Sequence, residues 1–429
     1  MSPIGEAMLL SQIMRSEGHD VVYYIHDESS REIGNGLVWK TDDPDSAAEQ
    51  ADLIIFDDNG MGKKADEYRK KGYDVWNGGS VNDDLEHDRN LGMRVFRKCG
   101  IPIPETSDVS SVKEVENAIS KIGSSKCVVK LDGSDKAGSS FTFVADDGDQ
   151  LLAQVTHWVD DGLLKKGWSG IVQEFIPGIE VSIEGWFCEG RWSNLNITLE
   201  EKKALSGGLG QSVGCAFNTI VSVSEKSKLF KKVLLPLTEF LAKAHFVGQI
   251  DTNSIVDKDG IPRALEFTPR IGYDSTPTLA WGRGRFVTDI QNALGDETAF
   301  RNGDMDRGRY WCGVSVSIPP YPLDIEDKKL CDAVYEQAHG VPVEIGEGLD
   351  FYYRDLAHDS ETGLYCAGTY GIIGLALGGG DSVREAARHA YSVADKVKVP
   401  NKGYRALDGH KRGEDAIAEL LDMDLIRLA

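Results

Sequence analysis

The chain has 429 residues, with 47 Lys and Arg against 69 Asp and Glu, and a formal net charge of −22. Such an acidic balance argues against sequence-independent nucleic-acid binding, which needs a basic footprint, but leaves room for a local basic pocket around a small anion. Mean hydropathy is −0.30. No apolar run approaches the ~18–20 residues that span a bilayer, and no secretory signal opens the chain. Seven cysteines stand at 99, 127, 188, 215, 312, 331 and 366 with no CxxC or Cys/His ligand spacing. That pattern argues against a zinc site or a disulfide framework and fits a reducing, cytoplasmic setting.

Residues 1–88 alternate helix and strand: helix at 6–18, strand at 20–27, short helix at 46–50, buried strand at 51–58, then helix and strand again at 65–79. This order predicts a parallel sheet covered on both faces. Such a unit usually opens on a buried strand, whereas here Met1 stands almost on the loop SPIGE; either a first strand is missing or the sheet differs. Gly34 and Gly36 are too sparse for a dinucleotide loop and read as a turn.

DRNLGMRVFRKC (88–99) reads as an amphipathic helix stopped by Gly100, and 111–123 as another. KCVVK ends in Lys130, beside the Gly/Ser-rich loop DGSDKAGSS, whose N–H and hydroxyl groups suit phosphates. A helix at 149–164 is followed by VQEFIPGIEVSIE, a strand, a bend at Pro177-Gly178 and a second strand carrying Glu180 and Glu184. SGGLG (206–210) reads as a flexible loop, 224–246 as one long helix and 277–295 as a closing helix. Beyond 308 come a strand ending in IPPYP, further strands, a helix capped by Asp381 or Ser382, and a last amphipathic helix.

Between them lies FVGQIDTNSIVDKDGIPRALEFTPRIGYDST (246–276), two strands joined by the turn DKDG. A turn centred on Lys258-Asp259 sets Asp251 opposite Glu266; one centred on Asp259-Gly260 sets it opposite Thr268. Either register puts Asp251, Asn253, Glu266 and Thr268 on one face, an oxygen platform suited to Mg²⁺. Arg270 follows, placed to hold an anion near the metal. Taken alone, the hairpin reads more readily as a solvated polar sheet face than as a metal platform.

VVKLDGSDKAGSS, VQEFIPGIEVSIEGW, SGGLG, ALEFTPRIGYDST and the C-terminal CAGTYGIIGLALGGGDSVREAARHAY arrive in the order of an ATP-grasp ligase. They resemble the phosphoribosylamine–glycine ligase (glycinamide ribonucleotide synthetase) family over nearly the whole chain. The resemblance implies an α/β fold: an N-terminal Rossmann-like parallel-sheet domain (1–88), an ATP-grasp core (89–305) with a lid at about 108–175, and a C-terminal α+β domain (306–429) packed beside it. It implies ATP and Mg²⁺ (or Mn²⁺) as cofactors and a carboxylate–amine ligation through an acyl phosphate, with small molecules as partners, no nucleic acid or membrane, and a monomer or homodimer.

By position, Arg89 and Lys130 match nucleotide-phosphate cations, and 135–140, with Ser139 and Ser140, the flap over the phosphates. Glu174, Phe175 and Ile176 match the adenine hinge, and Glu180 the ribose acid. Glu266 matches a metal-binding glutamate, with Thr268 where the family has asparagine and Asp251 as a compensating acid. Arg270 matches the following arginine and, with Lys130, is expected to act in catalysis. Lys202, Lys203, Gly207, Gly208, Arg270 and Asp274 fall on the substrate side. The departures, among them Arg89 for lysine, Thr268 for asparagine and Glu201-Lys202-Lys203 for a His-Lys-Arg run, touch the substrate half most. A sister ligase for another amino acid or amine, or a nucleotide-binding protein without catalysis, are the alternatives. As isolated residues, Lys130, Glu180 and Glu184 read as surface groups and Glu266 as a partner of Arg263 or Arg270.

Overall fold

The computed structural model describes residues 1–6, 8–123, 126–132, 142–295, 307–323, 338–368 and 371–429. The N-terminal part carries helix α1 (Met8–Ser16), strands β1 (Val22–Tyr23) and β2 (Trp39–Lys40), α2 (Pro44–Ala48), β3 (Ile54–Ile55), α3 (Gly62–Lys70), β4 (Val75–Trp76) and α4 (Ser80–His87). β1 pairs β2 and β3 pairs β4, both in parallel. The slot of the leading strand is taken by Met1 and Ser2: Ser2 N donates to Tyr24 O, His26 N to Ser2 O, and Asp57 N to Met1 O. Two residues thus join the parallel pairs where the sequence pattern left a gap.

Helix α5 (Arg89–Lys98) is capped by Asp88, whose side chain accepts from Leu91 N. β5 (Thr106–Val109), α6 (Val112–Ile122), β6 (Cys127–Leu131), β7 (Thr142–Ala145), α7 (Gly148–Asp160) and β8 (Gly170–Glu174) follow. Their strands make a separate four-stranded sheet in the order β5-β8-β6-β7, with its own apolar core under the two helices.

The remaining strands build one sheet. β9 (Ile179–Cys188), β10 (Arg191–Leu205) and β11 (Leu209–Ser222) form a meander, and β12 (Gly248–Val256) and β13 (Pro262–Thr268) the hairpin. β14 (Tyr310–Ser317), β15 (Phe351–Tyr353) and β18 (Ile372–Gly380) extend it to the order β13-β12-β9-β10-β11-β14-β18-β15. β16 (Leu356–Asp359) and β17 (Gly363–Cys366) pair apart from it. The C-terminal segment therefore does not merely lie beside the central domain. It continues the same sheet, with α12 (Val383–Lys396), capped by Ser382, and α13 (Gly409–Asp422) packed on it.

Two expected helices are broken. The span 224–246 divides into α8 (Lys228–Val233), a 3₁₀ turn and α9 (Thr238–Lys243), because Pro236 has no N–H and its ring blocks the helical path. The span 277–295 divides into α10 (Ser275–Arg283) and α11 (Phe286–Leu294) at Gly284, whose φ of 65° only glycine adopts freely.

Candidate active site

The register of the sheet decides which side chains meet. Asp251 stands opposite Thr268 on one side and Glu184 on the other, and Glu184 opposite Asn196. One step along the strands, Asn253 stands opposite Glu266 and Ser182, and Ser182 opposite Thr198. With period-two alternation, Thr268–Asp251–Glu184–Asn196 and Glu266–Asn253–Ser182–Thr198 are two adjacent rows on one face. An irregularity between Asn253 and Ser254 separates this end of the hairpin from its turn, so Asp251 takes the Thr268 register. Gly248 permits the entry of β12: a Cβ there would lie 2.0 Å from the Asn77 Oδ1, which accepts from Gln249 N.

Phe96 of α5 stacks on Phe267 of β13, with ring centres 3.9 Å apart, and so brings Arg89 over Glu266. Arg89 Nη1 lies 2.7 Å from Glu266 Oε2 and its Nε donates to Leu131 O. Lys130 Nζ lies 3.5 Å from the same carboxylate oxygen. Lys130 holds the Glu266 carboxyl well below the usual carboxylate range, with burial opposing it and Arg89 assisting. Burial draws the Lys130 ammonium down, and Glu266 opposes that shift. Lys202 Nζ is 2.7 Å from Glu180 Oε1 and 3.8 Å from Glu200 Oε2. Burial works against the Lys202 ammonium, but Glu180, Glu200 and Glu266 together hold its pKa above the ordinary value.

Beyond Thr268 the site reaches the other two parts of the chain. Arg270 lies 3.3 Å from Glu86 and 3.8 Å from Asp58, with its guanidinium 4.2 Å from the Tyr273 ring centre. Arg354, which follows β15, pairs with Glu6, sits 5.4 Å from the same ring and reaches Asp274 at 3.9 Å. Ser315 Oγ donates to Asp274, whose pKa burial and the nearby Glu200 push up to about 7. Burial likewise raises Glu184 and Glu200, and it raises Asp251 together with the charges of those two acids.

Arg89, Lys130, Glu180, Lys202, Asp251, Glu266, Thr268, Arg270 and Asp274 therefore belong to one connected region. Glu174, Phe175 and Ile176 run from the end of β8 towards β9, with Phe175 N donating to Lys126 O. Ser139 and Ser140 lie outside the described residues. Lys203 alternates to the other face and is exposed. Gly207 and Gly208 close the β10–β11 hairpin, where Gly207 N donates to Asp408. SGGLG is thus anchored to the C-terminal segment, and the structure does not bring it to Lys202. Glu184 is no surface acid: it is 2 % exposed and accepts from Asn196, Thr198 and Gln249. Glu6, Asp58, Glu86, Glu200 and Arg354 escaped the sequence reading. Of these, Glu200 alone left a trace, the alternation it shares with Lys202.

A hairpin carrying an acid paired with two cations, with a separate four-stranded sheet, is the arrangement of an ATP-grasp fold. Residues 88–276 match the model of the phosphoribosylglycinamide synthetase ATP-grasp (A) domain. The chain resembles phosphoribosylamine–glycine ligases: it is 22% identical over 355 residues to that of Ralstonia nicotianae, covering 81% of this chain and 80% of the relative. The solved phosphoribosylamine–glycine ligase of Thermotoga maritima superposes with a TM-score of 0.74 at 18% identity, covering 94% of this chain and 97% of that one. The biotin carboxylase domain of Hydrogenobacter thermophilus 2-oxoglutarate carboxylase, solved with MgADP and bicarbonate, gives 0.63 at 13% identity over 98% and 96%.

Proposed function

We propose that the chain is an ATP- and Mg²⁺-dependent carboxylate–amine ligase that joins glycine to phosphoribosylamine, with ADP and phosphate as by-products. The observation that carries this reading is the pairing of Arg89 and Lys130 with Glu266, two cations that would bind phosphate held over an acid that would bind the metal. The matched ATP-grasp model and the relatives' names support the reaction. Three small molecules and a divalent ion would then be the partners. The free cysteines among the described residues are in keeping with a cytoplasmic enzyme.

The residues fit the ion. Asn253 Oδ1 is buried without a hydrogen-bond partner directly across from Glu266, and Thr268 follows on the same face. Glu266, Asn253 and Thr268 would hold Mg²⁺, with Asp251 directly across from Thr268. Among the described residues no three Asp, Glu, His or Cys side chains converge on a preformed cage. Mg²⁺ needs none, because it takes one or two carboxylates and shares the nucleotide phosphates. When bound, it neutralises phosphate charge and polarises the γ-phosphoryl group.

In the reaction the substrate carboxylate attacks the γ-phosphorus of ATP, ADP leaves, and an acyl phosphate forms. The amine then attacks the acyl carbon, loses a proton, and orthophosphate departs. Lys130 and Arg89 hold the phosphates and offset the charge that develops on them. Arg270, set between Glu86, Asp58 and the Tyr273 ring, orients an anionic group of the second substrate. The carboxylates around Arg270 and Arg354 favour a second reading, a sister ligase whose amine carries less negative charge. The test is ADP release with Mg²⁺-ATP, glycine and phosphoribosylamine generated in situ, each left out in turn. Release that needs all three supports the first reading. Release that needs glycine but is indifferent to phosphoribosylamine supports the second, and no release with any combination refutes the first.

A further inference from the structure

The row beyond Glu266 has a chemistry of its own. Glu184 and Asp251 are cross-strand neighbours, and Glu200 is the next acid to influence Asp251. Lys202, which acts on Asp251 and Glu200, is already 2.7 Å from Glu180, and Arg270, which acts on Glu200, is held by Glu86 and Asp58. Hydrogen bonding is also lopsided. Asn196, fully buried, gives its Nδ2 to Glu184 and Thr198 and leaves its Oδ1 without a partner. The Asp251 Oδ1 has none either. A buried acceptor left unmatched costs stability, so a surplus of acceptors beside paired carboxylates marks a place for a ligand with several N–H donors and a positive charge.

We propose that Glu184 and Asp251 form the subsite for the ammonium group of the carboxylate-bearing substrate. The inference rests on the ligase reading for what that substrate is. Rows on one face are about 7 Å apart along a strand. A short amino acid whose carboxylate meets the phosphate at the Glu266 row therefore presents its ammonium to Asp251 in the next. The placement also serves the chemistry. Once the carboxylate has become an acyl phosphate, a free amine on the same molecule would attack a second activated molecule. A carboxylate beside it favours the protonated form of that amine, because opposite charge favours the charged form. The attacking amine, which must be neutral, approaches from the Arg270 side.

The experiment is equilibrium binding of glycine and of glycolate, its hydroxyl counterpart, by calorimetry in saturating Mg²⁺-ADP, so that no turnover is needed. Wild type binds glycine at least ten times more tightly than glycolate. Asp251→Asn, isosteric and at a partly open position, weakens glycine at least tenfold, changes glycolate by less than threefold and leaves the affinity for Mg²⁺-ADP alone unchanged. Glu184→Gln does the same if it folds. The proposal is overturned if wild type fails to bind glycine, if glycolate binds as well, or if Asp251→Asn holds glycine within twofold. It is also overturned if that variant loses Mg²⁺-ADP instead, because Asp251 would then serve the metal. ADP release on the same preparations separates the two ideas. Amine-selective binding without turnover leaves the subsite standing and removes the ligase, whereas full ligation with an unchanged glycine KM in Asp251→Asn does the reverse.

Discussion

Replacing Glu266 by Gln keeps the volume and removes the charge on which Arg89 and Lys130 converge. Arg89 retains the Leu131 carbonyl, but Lys130, 7 % exposed, is left buried beside a neutral amide. Breaking a buried pair by deleting one partner costs about 3–5 kcal/mol. Here the Glu266 side chain is one-third open and the Gln oxygen still accepts, so a loss of about 2 kcal/mol is expected. For a unit of ~150–250 residues that lowers Tm by roughly 4–8 °C. The sign with pH follows from the depressed Glu266 carboxyl: its contribution is full above the unfolded value near ~4.3 and is lost as pH falls through the folded one. Melting curves of the ligand-free protein at pH 7 and pH 4 should therefore show a gap between wild type and Glu266→Gln that narrows on acidification. ADP formation should drop at least ~100-fold, about 2.7 kcal/mol of lost transition-state stabilisation. Wild-type ADP formation by the variant would refute the metal role, and identical melting at pH 7 would refute the ion-pair account.

Lys130→Met should leave stability nearly unchanged or raise it, because Glu266 keeps Arg89 and a buried ammonium is removed, while ATP affinity falls at least ~10-fold; titration with nucleotide and a melt decide it. Asp274→Asn should stabilise the protein on the order of 2–4 kcal/mol above pH 7, with the gain vanishing near pH 4. The wild-type carboxyl, at about 7, loses stability as pH rises from the unfolded value of ~3.9 to that point. A melt series from pH 4 to 8 with a constant difference would contradict this. Gly178→Ala should cost about 1–3 kcal/mol, because its Cβ would lie 2.1 Å from the Val256 carbonyl oxygen, and denaturant unfolding that matches wild type would rule out the close approach.

Much of the hairpin and of the strand that ends in Lys130 was legible in the sequence because its signals are local. The turn DKDG, the alternation around it and the strand ending in Lys130 each depend on residues a few positions apart, and the order of motifs supplied the rest. Period-two alternation alone put Asp251, Asn253, Glu266 and Thr268 on one face, since side-chain direction along a strand is set by the backbone. What the sequence left open was which residues of other strands share that face. The bulge after Asn253 selected the Asp251–Thr268 register, and the order β13-β12-β9-β10 set Glu184 and Asn196 beside Asp251. Glu184 reads as a surface acid along its own strand and becomes a buried one only when β10 and β12 close over it. Arg354 and Glu6 stand 348 positions apart, and no local pattern announces a pair made by folding. Covalent geometry and hydrophobic patterning act over a few residues, so the sequence by itself determined the elements and the faces they present. Burial and charge act through space, so tertiary structure alone decided which acids share one face with Asp251 and how far their protons are held.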